Sequence, residues 1–156
     1  MTIEDISNIS QALVAMATVL GLVFVGFLIR QNTRATQAAA HHNVSNSLND
    51  LNLMFAANAD MTQIYLAGMD DRRALSPQER WRFASVTRAY MHVCETMFVQ
   101  AKLGTGDDSI YLAEEGGIRT VLASPGSREW WDENPYGFCA EFRDYVVRLA
   151  PVPERL

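Results

Sequence analysis

An all-α fold is expected, with one N-terminal transmembrane helix continuing into a small helical-bundle domain. Three observations predict it. The stretch from Ala12 to Ile29, ALVAMATVLGLVFVGFLI, holds no charged residue and one hydroxyl, Thr18. Beyond it, apolar residues recur at spacings of three and four, the period of a helix with one buried face. No alternating apolar run bounded by turn signals marks a strand. The expected division is residues 1–30 as the anchor and 31–156 as the helical domain. The latter has about 125 residues, enough for one domain with its own core.

The eighteen-residue run spans roughly 27 Å at the helical rise, close to a hydrocarbon core of about 30 Å. In lipid such a run must be helical, because only a helix satisfies its own backbone groups. Two other readings compete with the anchor. A cleaved signal peptide has a basic start, whereas this chain opens MTIEDIS, with Glu4 and Asp5. A buried core helix in a soluble protein would carry a polar face, and this one has none. Arg30 and Arg34 follow the run and no basic residue precedes it. The positive-inside bias then puts the N-terminus outside and the following domain in the cytoplasm. Ala17 and Gly21 are spaced as small-xxx-small, a pattern that lets helices in lipid approach closely.

From Arg30 to Ala40 there is no Gly or Pro, so the helix is expected to continue past the membrane. Val44, Leu48, Leu51 and Phe55 then form one apolar face, read as a bundle wall. Asp60 is positioned to cap a short helix that ends near Gly68. Ser76-Pro77-Gln78-Glu79 is a capping box with Pro at the first helical position. The helix it opens places Phe83, Val86, Tyr90, Val93, Met97 and Ala101 on one side and stops at Gly104. Asp107 or Asp108 starts the next helix, with an irregularity expected at Gly116-Gly117 and an end at Ser124-Pro125-Gly126. Ser127 is expected to cap a short turn holding Trp130 and Trp131, and Asn134-Pro135-Tyr136-Gly137 has turn chemistry. The last helix runs from about Phe138 to Leu149 with Phe142, Tyr145, Val146 and Leu149 inward, ended by Pro151 and Pro153.

The segment Phe27 to Ala40, FLIRQNTRATQAAA, resembles a set of small, uncharacterised bacterial single-span membrane proteins in which a membrane helix runs into an "IRQNTRA…AAA" segment. The Tyr90–Gln100 stretch, with Glu95 and Phe98-Val99-Gln100, and Leu122-Ala123-Ser124-Pro125-Gly126 followed by Trp130-Trp131 are similar to that set too. The resemblance implies a single-span helical protein of a bacterial inner membrane and brings no activity, substrate or catalytic residue.

No convergent chemistry is legible. The net charge is -5 and the bases are scattered, so nucleic acid is not an expected partner. Cys94 and Cys139 lie too far apart in sequence for a secreted disulfide framework and read as reduced thiols, Cys94 as a small core residue. His41 and His42 point about 100° apart on a helix and cannot easily share a metal. His92 and Glu95 reverse the Glu-x-x-His order of carboxylate-bridged metal sites in bundles, so an ordinary hydrogen bond or ion pair from Glu95 to Arg88 or His92 is expected instead. His92 and Cys94, two apart, face away from each other. Gly104-x-Gly106 lacks the lysine and strand of a phosphate loop. Neither catalytic residues nor a cofactor are expected. The aromatic group Trp130, Trp131, Tyr136 and Phe138 has three readings: packing over the bundle end, a partner-docking surface, or a membrane-interface belt. The expected role is therefore non-enzymatic. The chain would contact membrane lipid and act through protein contacts, with itself or with a larger membrane complex. The alternative is a tethered sensor that binds a small ligand between helices.

Overall fold

The computed structural model describes residues 3–105 and 108–149. The all-α expectation holds: the described residues form six α-helices and no strand. These are α1 (Ile3–Ala57), α2 (Ala59–Asp70), α3 (Pro77–Lys102), α4 (Asp108–Ala123), α5 (Pro125–Glu133) and α6 (Ala140–Leu149), with 3-10 turns at Arg72–Ala74 and Pro135–Gly137. Contacts divide the chain into two units, Met1–Ala38 and Ala39–Leu156, and α1 runs through both. Asp107, Pro151 and Pro153, invoked above as helix boundaries, lie outside the described residues.

In the first unit, α1 is long and apolar enough to cross a membrane, and none of its most apolar stretch is buried. Every large apolar side chain from Leu13 to Ile29 is between 45% and 67% exposed. The hydroxyl of Thr18 donates to the Val14 carbonyl at 2.8 Å, and those of Thr33 and Thr36 donate to Ile29 and Asn32 at 3.0 Å. Each is thereby satisfied within its own helix.

In the second unit, the expected bundle wall is present: Val44 is buried, and Leu48, Leu51 and Phe55 pack against the core. The cap of α2 is Asn58 rather than Asp60; its Oδ1 accepts from the Met61 amide at 3.2 Å. The capping box of α3 is complete, with Ser76 Oγ accepting from Glu79 N and Glu79 Oε2 accepting from Ser76 N. Gly104 adopts φ +67°, and the Thr105 and Gly104 amides reach back to Gln100 and Ala101. This is a Schellman ending, for which glycine has no Cβ penalty.

The buried residues of α3 are Phe83, Val86, Thr87, Met91, Cys94 and Met97, with Tyr90 and Val93 half-buried. Neighbours on more than one side widen the single stripe that sequence spacing suggests; α2 and α4 both pack on this helix.

Three local expectations are corrected. Helix α4 runs unbroken through Gly116-Gly117. A Cβ on Gly117 would lie 2.5 Å from the Tyr90 hydroxyl, so this glycine permits close approach rather than a break. Gly68 sits inside α2, and a Cβ on Gly126 would lie 1.8 Å from the Gly68 carbonyl oxygen, which marks a backbone-to-backbone crossing of α2 and α5. Ser127 is buried within α5, and Ser124 holds the N-cap position. Helix α6 buries Phe142, Tyr145, Val146 and Leu149 as expected.

Candidate functional site

Ala17 and Gly21 lie on the exposed part of α1, and nothing stands within 4 Å of where a Gly21 Cβ would be. The small-residue face is thus uncovered within this single chain.

The four aromatic residues near the end of α5 do not share one environment. Trp130, Trp131 and Phe138 are buried, whereas Tyr136 is 88% exposed. Phe138 is the hub: its ring lies 5.0 Å from Trp131, 5.9 Å from Phe142 and 4.6 Å from the His92 imidazole, centroid to centroid. Packing therefore accounts for three of the four, and those three present no surface to a partner or to lipid. Tyr136 projects because it occupies the 3-10 turn between Pro135 and Gly137; the Arg143 guanidinium lies 5.9 Å from its ring.

A different surface is built beside this cluster. Residues Trp81, Ser85 and Ala89 follow one another at i, i+4, as do Ala84, Arg88 and His92, so they share one face of α3. Together with Asn134, at the end of α5, they line an open groove of about 590 Å³. The small side chains Ala84, Ser85 and Ala89 make the hollow, and Trp81, 74% exposed, forms one wall.

Arg88 is held in place by its surroundings. Its Nη2 donates to Asn134 Oδ1 at 3.2 Å, and its guanidinium carbon lies 5.8 Å from the Trp130 ring centroid, a cation–π arrangement. Asn134 is itself fixed, its Nδ2 donating to the Trp130 carbonyl at 2.9 Å. At the far end, His92 Nδ1 lies 3.1 Å from Glu95 Oε2, the ordinary hydrogen bond expected of that pair. The other Glu95 oxygen accepts from the Cys139 amide at 2.6 Å. Glu95 therefore ties α3 to the start of α6.

Of the two partners expected for Glu95, His92 takes the contact, while Arg88 turns to Asn134; the apolar spacing of α3 does not single out Trp81. The available signal was a tryptophan off the apolar stripe of a well-capped helix, one turn ahead of Ala and Ser.

A polar cluster lies between α3 and α4. The Tyr90 hydroxyl donates to Glu114 Oε1 at 2.5 Å, and Tyr145 donates to Glu115 Oε1 at 2.9 Å. Burial, with the Glu114 charge beside it, pushes the Cys94 thiol up to about 12. Burial also raises Tyr90 and Tyr65, with Cys94 contributing to both. A thiol so raised stays protonated near neutral pH and is a poor nucleophile. Among the described residues, no three His, Cys, Asp or Glu side chains converge as metal ligands. No family model, no curated protein and no solved structure matches this chain.

Proposed function

We propose that this protein is a single-span, membrane-anchored helical protein of the bacterial inner membrane. Its bundle faces the cytoplasm, and it acts through protein contacts rather than catalysis, as a homo-oligomer or as an accessory subunit of a larger membrane assembly. The observation that carries the reading is the apolar helix with no buried residue in its most apolar stretch. Arg30 and Arg34 after the span, against Glu4 and Asp5 before it, support the orientation. Ala17 and Gly21 supply a face for close helix contact in lipid.

Fractionation tests the anchor. After ultracentrifugation of broken cells, the full chain is expected in the membrane pellet and released only by detergent; recovery in the supernatant overturns the reading. Cys139 is exposed and Cys94 buried, so a membrane-impermeant maleimide reports orientation. Labelling of Cys139 is expected in inverted vesicles and not in intact spheroplasts. For self-association, the mass in mild detergent is expected to exceed that of one chain and to fall on Gly21→Leu. A lone wild-type chain with no co-purifying protein counts against contact-based function.

A second reading, a tethered sensor of a small ligand, is favoured by the groove on α3. Its volume falls in the usual range for small-molecule sites.

A further inference from the structure

We propose that the groove on α3 binds a small organic carboxylate with a flat or short acyl apolar part. The carboxylate would sit on Arg88, and the apolar part would lie against Trp81, Ala84 and Ala89. This deepens the sensor reading and rests on it.

The charge pattern is the first argument. The chain has eighteen acidic residues and a net charge of -5, yet no Asp or Glu lines this groove, while Arg88 and His92 do. The comparable groove beside α2 is different: Asp60 and Glu79 line it alongside Arg82.

The second argument is the state of Arg88. Arg72, Arg73 and Arg128 each pair with a carboxylate, Glu133, Glu129 and Asp132 respectively. Among the described residues no carboxylate pairs with Arg88, although Asn134 and the Trp130 ring fix its position. Only one of its guanidinium nitrogens is occupied by Asn134. A guanidinium presents five N–H donors in a planar fork that matches a carboxylate, and prior orientation lowers the entropy lost on binding.

The third argument is shape. Trp81 offers an exposed ring beside three small side chains, a flat apolar surface against which a phenyl or short acyl group can lie.

The test uses the full chain in phosphatidylcholine nanodiscs, which avoids competition from detergent, and isothermal titration with two probes. These are 3-phenylpropanoate and its neutral amide. The acid is expected to saturate one site and to bind at least about tenfold more tightly than the amide, the usual worth of a hydrogen bond to a charged group. Arg88→Gln should bring the acid down to the level of the amide. Trp81→Ala should weaken both probes alike, and its exposed position leaves the bundle fold intact.

Equal affinities for acid and amide in the wild type overturn the carboxylate assignment while leaving a ligand site in place. Absence of saturable binding of either probe at millimolar concentration overturns the site itself. An acid affinity unchanged by Trp81→Ala also overturns the proposal, even if Arg88→Gln fails to fold. Binding of an acidic peptide without binding of 3-phenylpropanoate assigns the groove to a protein partner and overturns it as well.

Discussion

The crossing of α2 and α5 makes Gly126→Ala the most discriminating substitution in the bundle. The new methyl carbon would lie 1.8 Å from the Gly68 carbonyl oxygen, 2.9 Å from the Gly68 carbonyl carbon and 3.2 Å from the Arg72 nitrogen. Non-bonded heavy atoms prefer about 3.5 Å, so the two helices must part by roughly 1.7 Å at this point. All three obstructing atoms are backbone, so no side-chain rotation relieves the clash. Overpacking a core costs about 1–3 kcal/mol, and a backbone obstruction puts this site near the upper end. Alanine returns at most about 1 kcal/mol through helix propensity. The net expectation is a loss of about 2 kcal/mol, or a fall in Tm of about 8 °C for a bundle of this size.

Gly116→Ala is the control. Gly116 also lies inside a helix, but nothing stands within 4 Å of its Cβ position, so only the propensity gain of up to about 1 kcal/mol remains. The two glycines should move Tm in opposite directions. The assay is thermal unfolding of the full chain in mild detergent, followed by near-ultraviolet circular dichroism of the Trp130–Trp131–Phe138 cluster, which α1 does not dominate. A Gly126→Ala protein melting at or above the wild type refutes the close-crossing argument.

Three further outcomes are expected. Glu95→Ala removes both the acceptor of the Cys139 amide and the His92 partner, and should cost about 1.5–3 kcal/mol in urea unfolding, as for a hydrogen bond to a charged group. A loss below 0.5 kcal/mol, on that same scale, means that Glu95 does not anchor α6. Ser127→Ala should leave stability unchanged or raise it by up to about 1 kcal/mol, because the buried Ser127 hydroxyl has no hydrogen-bond partner among the described residues; a clear loss reveals a partner. The Cys94 thiol, raised from 9.0 to about 12 by burial, is neutral in both states below pH 9 and ionises first in the unfolded chain above it. Stability should therefore be constant up to about pH 9 as far as Cys94 is concerned, then fall by about 1.4 kcal/mol per pH unit toward pH 12. Cys94→Ala should flatten the pH 8 to pH 10.5 decline by about 2 kcal/mol, and an identical decline in both proteins refutes the assignment.

What the sequence makes legible here is local. The capping box at Ser76–Glu79, the left-handed Gly104 and the turn at Pro135–Gly137 are each dictated by a few adjacent residues, and each forms as read. The inward faces of α6 and of the Val44–Phe55 stretch follow from spacing alone. The misread positions are those whose reason lies in another element. Gly68 and Gly117 look like a helix end and a break in a one-dimensional reading, and Gly126 marks the end of α4 correctly but shows nothing of its second role. In three dimensions they are contact points, against Phe83, against Tyr90 and between two backbones. The groove was hidden for the same reason. Its face on α3 can be counted from the sequence, but the fixing of Arg88 needs Asn134, forty-six residues away, brought beside it. Burial likewise divides the aromatic group in a way composition does not: Phe138 gathers both tryptophans, and Tyr136 is left outside.

The contrast between the two units supports the membrane reading by magnitude. In the second unit the largest apolar residues, Trp130, Phe83, Phe142 and Met91, are fully buried. In α1 the large apolar side chains from Leu13 to Ile29 keep about half or more of their surface exposed. Fully burying one such side chain is worth at least about 1.5 kcal/mol, so about a dozen of them, each still roughly three-fifths exposed, withhold about 11 kcal/mol if left in water. That is comparable to the 5–15 kcal/mol that typically holds a whole domain together. The segment therefore calls for apolar surroundings beyond its own helix. A bilayer meets the requirement for every side of the helix at once, and it does so without leaving Thr18 unsatisfied, since that hydroxyl already bonds Val14. A single protein partner would cover one side only. On the proposed reading, a helix apolar all round is matched to lipid rather than to a groove, and a helix partner recognised through Ala17 and Gly21 would meet it there.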